Sequence, residues 1–261
     1  MLFSSQPFLL IFLPLSLILY YGLGRFYAAR VGVLTVASLV FYAWWDPRFV
    51  PLLGTMIIFT WLVVRCHMLS QQRWILWLGV GLNLAVLGLF KYANFFAEAV
   101  LDSVGVVHQP WEIILPLGIS FFTFQQVSYL LDRGRGTAPT YGFVEYAAFV
   151  SFFPQLIAGP IVRHNQIISQ FDASPWRDGI TEQVSRGCVL LTLGLIKKVF
   201  FADELAPIAD DGFNLVAAGQ ALSFADSWLA ASAYSLQLYF DFSAYSDMAI
   251  GLAQMFGIRL P

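Results

Sequence analysis

Two carboxylates, Asp241 and Asp247, lie within residues 234–261, a stretch that is otherwise mostly apolar and typical of a membrane helix. A carboxylate at the centre of a bilayer costs at least about 3 kcal/mol, and proteins keep one there where it faces a protein interior, a polar cavity or a substrate path. The placement of these two acids indicates that the stretch lines a polar site.

One face of this predicted helix carries most of the polar side chains. Positions three and four apart are neighbours on a helix, and the residues at this spacing are Tyr234, Gln237, Asp241, Tyr245 and Met248. Such a stripe could hydrogen-bond a hydroxylated substrate. Asp247 lies about 120° around the helix from Asp241, so the two acids are not expected to form one dyad.

A structural role for either acid stays open on the sequence alone. Each could cap a broken helix or pair with a cation of a neighbouring helix, and Lys197 and Lys198 are candidate partners. Both lysines nevertheless favour a position near the headgroups, which long cationic side chains reach by extending out of the apolar layer.

Three histidines, His67, His108 and His164, are the candidates for a general base, because proton abstraction from a hydroxyl near neutral pH suits an imidazole. All three fall in predicted loops, where a solvated histidine at the membrane surface is the alternative interpretation. The chain contains neither a Gly-x-Ser-x-Gly elbow nor a metal-binding His spacing. Soluble hydrolase and metalloenzyme chemistry are therefore disfavoured, and no metal site is expected.

The composition is that of a membrane protein. Hydrophobic residues make up 59% of the 261 residues and charged residues only 11%, which no ordinary soluble domain matches. The net charge of -2 argues against nucleic acid as a partner. We predict an all-α polytopic membrane protein with one membrane domain, residues 1–261.

Apolar stretches near the 20 or so residues that a bilayer requires predict the membrane crossings. Four are closely spaced, a fifth covers residues 113–131, and residues 95–101 form a helix end or an interfacial segment. In total we expect about six to eight transmembrane or re-entrant helices, at residues 8–24, 31–45, 49–64, 74–90, 113–131, 143–158, 187–201 and 228–256.

Two of these stretches have unusual residues. Pro116, Gly118, Gln125 and Gln126 make the interior of residues 113–131 unusual for a membrane helix. Pro154, Gly159 and Pro160, within and directly after residues 143–158, favour a broken helix, because proline removes a backbone donor and glycine accepts unusual dihedral angles. Irregular backbone at membrane depth must be shielded by protein or water. Residues 143–158 could either cross the membrane or dip into it and return.

Short loops rich in Arg are expected on the cytoplasmic side. Three loops carry such pairs, with Arg25 and Arg30, Arg65 and Arg73, and Arg133 and Arg135. The N-terminus is therefore predicted to lie outside. After Arg135 the charges are mixed, and the topology of residues 143–201 stays open.

Three segments, in order, resemble the membrane-bound O-acyltransferase family, in its bacterial branch that acetylates alginate and other exported polymers. They are LPLGISFFTFQQVSYLLD at residues 115–132, FFPQLIAGPIVR at residues 152–163 and YSLQLYFDFSAYSDMAIGLAQMFGIRLP at residues 234–261, with LGLIKKVFFAD at residues 193–203 between the last two. The resemblance covers essentially the whole chain. The chain itself resembles only the N-terminal half or so of the family.

The resemblance implies an enzyme whose catalytic histidine lies in a Trp-Arg-Arg-Trp-His-like stretch expected beyond Pro261. None of the three histidines present matches it, so this chain is expected to be a truncated core and inactive by itself. An acyl donor such as acetyl-CoA would arrive as substrate from the cytoplasm, with no bound cofactor. The candidate funnel-lining residues are Gln125, Pro154, Gln155, Gly159, Pro160, Arg163, Gln237, Asp241, Tyr245 and Asp247.

The same resemblance implies a multi-pass protein of the bacterial inner membrane, in contact with lipid, that works with periplasmic acyl-accepting or acetyltransferase proteins of a polysaccharide export system. Two other functions stay open. A transporter would also need intramembrane acids and broken helices, although no inverted repeat is visible in the sequence. A non-catalytic membrane scaffold would account for the missing histidine region.

Overall fold

The computed structural model describes residues 2–103, 111–157, 159 and 162–261, and these residues are helical, with no β-strand among them. The predicted all-α class is confirmed. The chain divides into two compact units. We call residues 2–24, 159 and 173–261 the terminal unit, and residues 25–157 and 162–172 the central unit. The single membrane domain stays a prediction.

Within the described residues the α-helices, in chain order, are α1 (Leu13–Gly22), α2 (Tyr27–Trp45), α3 (Val50–Ser70), α4 (Arg73–Ser103), α5 (Ile119–Gly134), α6 (Phe143–Ser151), α7 (Phe153–Leu156), α8 (His164–Phe171), α9 (Ile180–Ile196), α10 (Asp203–Ala217) and α11 (Phe224–Met255). Two π-helical segments, Phe8–Phe12 and Lys197–Ala202, and a 3₁₀ turn, Pro47–Phe49, extend these helices.

Three helical stretches of the central unit are long and apolar enough to span a bilayer, Tyr27–Trp45, Pro47–Ser70 and Arg73–Glu98, and the shorter apolar helix Phe8–Gly22 lies in the terminal unit. They correspond to the first four predicted crossings. Helix α4 continues through residues 95–101, so that stretch is the end of a helix. The total of six to eight passes stays a prediction.

The fifth predicted crossing is wrong at its start. Helix α5 begins only at Ile119, six residues later than predicted, and residues 111–116 are not helical. The physical reason is local: Pro116 disfavours helix in the residue before it, and Gly118 caps α5 in the left-handed conformation with φ +73°.

The predicted break in residues 143–158 is confirmed. Helix α6 ends at Ser151, Phe152 takes φ -48° and ψ 105°, and the short helix α7 carries Pro154 in its first turn. The nine residues of α6 measure about 14 Å, less than half of a bilayer core. The last six residues of α6, Tyr146–Ser151, are buried, and Tyr146, Phe149 and the following Phe152 are fully enclosed. The broken segment therefore forms the core of the central unit.

Helix α11 is one continuous helix of 32 residues, capped by Ser223, whose Oγ accepts from the amide of Asp226 at 3.2 Å. It does not turn into a second helix, which the sequence had left open. The turn comes after it, at Gly257 with φ +75°. Asp241 and Asp247 therefore lie in the same continuous helix.

Small residues bring α9 and α11 into backbone contact within the terminal unit. A Cβ added to Gly187 would lie 2.6 Å from the carbonyl oxygen of Gly251, and one added to Gly251 would lie 2.6 Å from that of Gly187 and 2.7 Å from the amide of Leu191. One added to Gly194 would lie 2.8 Å from the oxygen of Ala244. Such residues allow the close approach that drives helix association in lipid.

Replacing Gly251 by alanine should therefore destabilise the protein by about 1–3 kcal/mol, because the new methyl group forces the two backbones apart. The matched control is Gly81→Ala in α4, where nothing lies within 4 Å of the added Cβ and where alanine should be neutral or stabilising. Unfolding by SDS titration in mixed micelles measures both. Equal stability of the two variants would contradict the packing argument.

Candidate functional site

Asp241 and Asp247 of α11 are ion-paired with lysines of the neighbouring helical segment in the terminal unit. Lys197 Nζ donates to Asp247 Oδ2 at 2.6 Å and to Ser243 Oγ at 3.0 Å. Lys198 Nζ lies 2.8 Å from Asp241 Oδ1 and 3.0 Å from Asp203 Oδ1. Pairing with a cation of a neighbouring helical segment, which the sequence left open for each acid, is thus observed, and the extension of the lysines toward the headgroups stays a prediction.

The two lysines lie in the π-helical segment Lys197–Ala202, directly after α9. A π-helical turn widens the helix and often occurs at functional sites. Although adjacent in sequence, the lysines bind acids that are six residues apart on α11, about 9 Å along its axis. The prediction that Asp241 and Asp247 do not form one dyad is confirmed.

The two pairs differ in their surroundings. The Asp247 side chain is 25% exposed and that of Lys197 is 35% exposed, whereas the Asp241 side chain is 51% exposed and that of Lys198 is 24% exposed. Charge attraction is stronger where the medium is less polarisable, so the Lys197–Asp247 pair should contribute more to stability if the exposed face of Asp241 meets water. On the same face, Gln237 has a buried Oε1 without a hydrogen-bond partner among the described residues, and Tyr245 stacks on Phe3 at 4.7 Å.

The predicted residues of the central unit are deeply buried. Gln125 is 3% exposed and Gln155 is 0% exposed. Gln155 Nε2 donates to the carbonyl oxygen of Phe149 at 2.8 Å, which ties α7 back onto α6. The Oε1 atoms of Gln125 and Gln155 have no hydrogen-bond partner among the described residues. Buried polar atoms in proteins generally find a partner, so water or a substrate hydroxyl could bind at these atoms.

Hydrogen bonds between side chains of α2 and backbone groups hold the broken segments of the central unit in place. Ser38 Oγ accepts from the amide of Phe153 at 3.0 Å, and Tyr42 donates its hydroxyl hydrogen to the carbonyl oxygen of Leu117 at 3.0 Å. Both partners lie on α2. The long helix thereby satisfies backbone groups that the breaks leave without a helical partner, as irregular backbone at membrane depth requires.

A second buried polar cluster, which the sequence did not indicate, joins α5, α8 and the loop before α6. His164 is only 2% exposed; its Nδ1 lies 2.8 Å from the hydroxyl of Tyr141, and its Nε2 lies 3.4 Å from Asp132 Oδ2. Burial raises the pKa of Tyr141 to about 12, so its hydroxyl is protonated at neutral pH.

Burial lowers the pKa of His164 below its usual 6.5, and Asp132 opposes this effect. The folded state thus favours the neutral imidazole, while the unfolded chain takes up a proton as pH falls below 6.5. Stability from this group should be fully present above pH 6.5 and should fall as pH decreases through that value towards the lower folded pKa. We expect His164→Asn to flatten this part of the stability profile.

The measurement is unfolding in detergent from pH 5 to pH 8, with Tyr141→Phe as the comparison. That variant keeps the imidazole and removes one hydrogen bond, so it should lose about 1 kcal/mol while the pH dependence remains. An unchanged slope in His164→Asn would contradict the assignment.

The remaining predicted residues are placed as follows. Pro154 is buried in α7, Gly159 is buried in the terminal unit, Arg163 is exposed before α8, and Pro160 lies outside the described residues. The histidines also differ from expectation. His67 lies buried in the last turn of α3 and His164 is buried at the start of α8, so neither is a solvated loop residue, and His108 lies outside the described residues. Funnel lining stays a prediction for all ten residues.

Comparison with known proteins connects this arrangement to a family. The profile of MBOAT, the membrane-bound O-acyltransferase family, matches residues 40–260. The chain belongs to the membrane-bound O-acyltransferase family. The match includes the broken segment, both lysines and both acids, so the features described above belong to a membrane-bound O-acyltransferase core.

Three relatives give the range of similar proteins. The chain is 44% identical to the "Probable alginate O-acetylase AlgI" of Pseudomonas aeruginosa, over 99% of this chain and 50% of that protein. It is 46% identical to the protein of the same name in Azotobacter vinelandii, over 99% and 52%, and 37% identical to the "Peptidoglycan O-acetyltransferase" of Helicobacter pylori, over 100% and 55%. The chain spans about half the length of these membrane-bound O-acyltransferase relatives.

Proposed function

We propose that this chain is part of a membrane O-acyltransferase that transfers acetyl or other acyl groups to hydroxyls of an exported polysaccharide such as alginate. The observation that carries the proposal is the 44% identity to a probable alginate O-acetylase over 99% of the chain. The 37% identical peptidoglycan O-acetyltransferase supports the same reaction on a different polymer. The choice of alginate as the acceptor polymer is the more specific part of the proposal.

In this proposal the described residues position and line the site. The buried side-chain amides of Gln125 and Gln155 offer oxygen acceptors to a substrate hydroxyl. The Lys197–Asp247 pair places two opposite charges, which cancel each other, at membrane depth. Acetyl-CoA or a similar thioester is the donor, used as substrate from the cytoplasmic side. The catalytic base is a histidine outside residues 1–261.

The partners in this proposal are periplasmic proteins that accept the acyl group or complete polymer acetylation. The location is the bacterial inner membrane, with the N-terminus outside. The basic loops support this orientation through the positive-inside rule.

The test of the activity is complementation. A bacterium that makes alginate and lacks its own alginate O-acetylase is given the gene with its complete reading frame, and ester-linked acetyl groups on the polymer are measured by NMR. Restored acetylation supports the proposal. If another exported polymer is acetylated and alginate is not, the proposed acceptor is wrong. If no polymer is acetylated, the proposal that the protein is an acyltransferase is refuted.

The same strain separates the alternative functions. If the protein is a transporter, Asp241→Asn should abolish uptake of a solute while polymer acetylation is absent throughout. If the protein is a scaffold, neither polymer acetylation nor solute uptake should depend on its presence. An acyltransferase should lose acetylation when its downstream histidine is replaced.

Orientation is tested by cysteine labelling from the outside. Cys66 and Cys188, both free and exposed, are first replaced by serine. We then expect Gln6→Cys to react with a membrane-impermeant maleimide in intact spheroplasts and Ser70→Cys to react only after permeabilisation. Both parent side chains are exposed, so a difference in labelling reports the side of the membrane. The reverse pattern would refute the predicted orientation.

A further inference from the structure

A cleft in the central unit lies between the start of α4 and the end of α5. It has a volume of about 230 Å³, and its lining is divided into an apolar wall and two arginines: Leu76, Trp77, Val80, Leu130, Leu131 and Gly134 with Arg73 and Arg135. The apolar wall continues onto helix α4, which is long and apolar enough to span the membrane. No residue of this cleft belongs to the predicted funnel.

The two arginines are available to a ligand. Arg135 is 68% exposed, and its ion pair with Asp132 is long, with 3.7 Å between Nη1 and Oδ1. Arg73 is exposed, and no carboxylate lies within 4 Å of it among the described residues. Other nearby cations are already engaged, since Arg133 donates to the carbonyl oxygen of Ala138 at 2.9 Å and Arg65 lies 4.8 Å above the ring of Trp61.

We propose that this cleft binds one anionic phospholipid, of the phosphatidylglycerol class, with its phosphate between Arg73 and Arg135 and an acyl chain along Trp77, Val80 and Leu131. The argument is charge complementarity combined with position. Two cations at the ends of adjacent helices attract a phosphate, and an apolar wall at the level of the hydrocarbon accepts a chain but not a free anion. Tryptophans such as Trp77 favour this interfacial depth.

The expected selectivity follows from the charges. A basic residue near an anionic headgroup contributes about 1 kcal/mol, or about fivefold in affinity, so the loss of both arginines should weaken phosphatidylglycerol binding about 30-fold. Phosphatidylcholine, which has no net charge, should bind weakly to all variants. The proposal does not depend on acyl transfer, and its failure would leave the proposed function untouched.

The test is native mass spectrometry of the full-length protein in detergent, titrated with phosphatidylglycerol or phosphatidylcholine. Wild type should retain one phosphatidylglycerol, Arg73→Gln/Arg135→Gln should lose it, and Arg73→Lys/Arg135→Lys should keep most of it. Arg48→Gln is the matched control, because Arg48 is also 68% exposed but is paired with Asp46 at 2.6 Å. It should bind as wild type does.

A second variant tests the chain-binding half of the cleft with both charges intact. A Cβ added to Gly134 meets only Leu76 Cδ1, at 3.5 Å, an ordinary contact, so Gly134→Leu can fold and place its side chain in the cleft. It should also lose the bound lipid. Equal binding of both lipids by wild type, unchanged binding in the double glutamine variant, or displacement of the lipid by acetyl-CoA would overturn the proposal.

Discussion

Replacing Gly118 by alanine should destabilise the protein by about 2–5 kcal/mol. Two costs add at this position. Gly118 has φ +73°, which costs an alanine about 1–2 kcal/mol, and the added Cβ would lie 2.5 Å from the carbonyl oxygen of Leu156, which forces the backbone to move at a further cost of about 1–3 kcal/mol. Both contacting segments are backbone, so no side chain can rotate away.

Gly136 is the matched control for this substitution. It has nearly the same dihedral angle, φ +76°, but nothing lies within 4 Å of its added Cβ. Gly136→Ala should therefore lose only the conformational part, about 1–2 kcal/mol. Unfolding of both variants in mixed micelles separates the two costs. If the variants lose equal stability, Gly118 and Leu156 do not pack as described.

If the proposed function holds, Gly118→Ala should also affect acetylation through the segment that Gly118 contacts. The contacted residues, Leu156 and Ile157, lie between the predicted lining residues Gln155 and Gly159 in the sequence. A displacement of this broken segment should reduce acetylation more than the stability loss alone would. The measurement is polymer acetylation at equal amounts of folded protein, with Gly136→Ala as the reference.

The long apolar helices of this fold could be predicted from the sequence, because length and hydropathy alone decide whether a segment can cross a bilayer. Helices α2, α3 and α4 follow the predicted crossings for that reason. The break at Pro154 could also be predicted, since proline acts through its own backbone. These features depend on local chemistry, and no knowledge of neighbouring helices is needed.

Pairings between distant residues could not be predicted in the same way. The sequence indicated that Asp241 and Asp247 need partners, but which helix supplies them depends on how α9 and α11 pack. The glycines at that contact were not distinguished from the other glycines of the chain. The burial of His164 is similar, because the loop carrying Tyr141 covers it in a way that only the folded chain defines.

The start of α5 is an intermediate case. Pro116 and Gly118 are unusual in a membrane helix, whereas the apolar character of residues 113–131 places the predicted crossing from residue 113 onward. In the structure, local dihedral preference at Gly118 and its contact with Leu156 outweigh hydropathy. Hydropathy therefore predicts membrane depth better than it predicts where a helix begins.

Replacing Lys197 by methionine should destabilise the protein by about 3 kcal/mol. The substitution removes the ammonium group 2.6 Å from Asp247 and leaves a partly buried carboxylate without its cation, and breaking such a pair costs more than the pair itself contributes. Lys198→Met is the comparison within the same segment. Its partners Asp241 and Asp203 are each 51% exposed, so a loss of about 1 kcal/mol or less is expected if their exposed faces meet water.

The double variant Lys197→Met/Asp247→Leu removes both charges and should recover most of the lost stability, because an apolar pair of similar size replaces the ion pair. Stabilities of the wild type, both single variants and the double variant form a thermodynamic cycle that isolates the interaction. A double variant as unstable as Lys197→Met would mean that the two side chains do not stabilise each other.

Acetylation by the same double variant distinguishes a structural pair from a functional one. If the pair serves only to join the π-helical segment to α11, restored stability should bring restored acetylation. If the charges position substrate at membrane depth, as we propose for this family member, the double variant should be folded but should lose at least about tenfold in acetylation rate. Catalysis would then explain why the protein keeps a charge pair that apolar residues could replace without loss of stability.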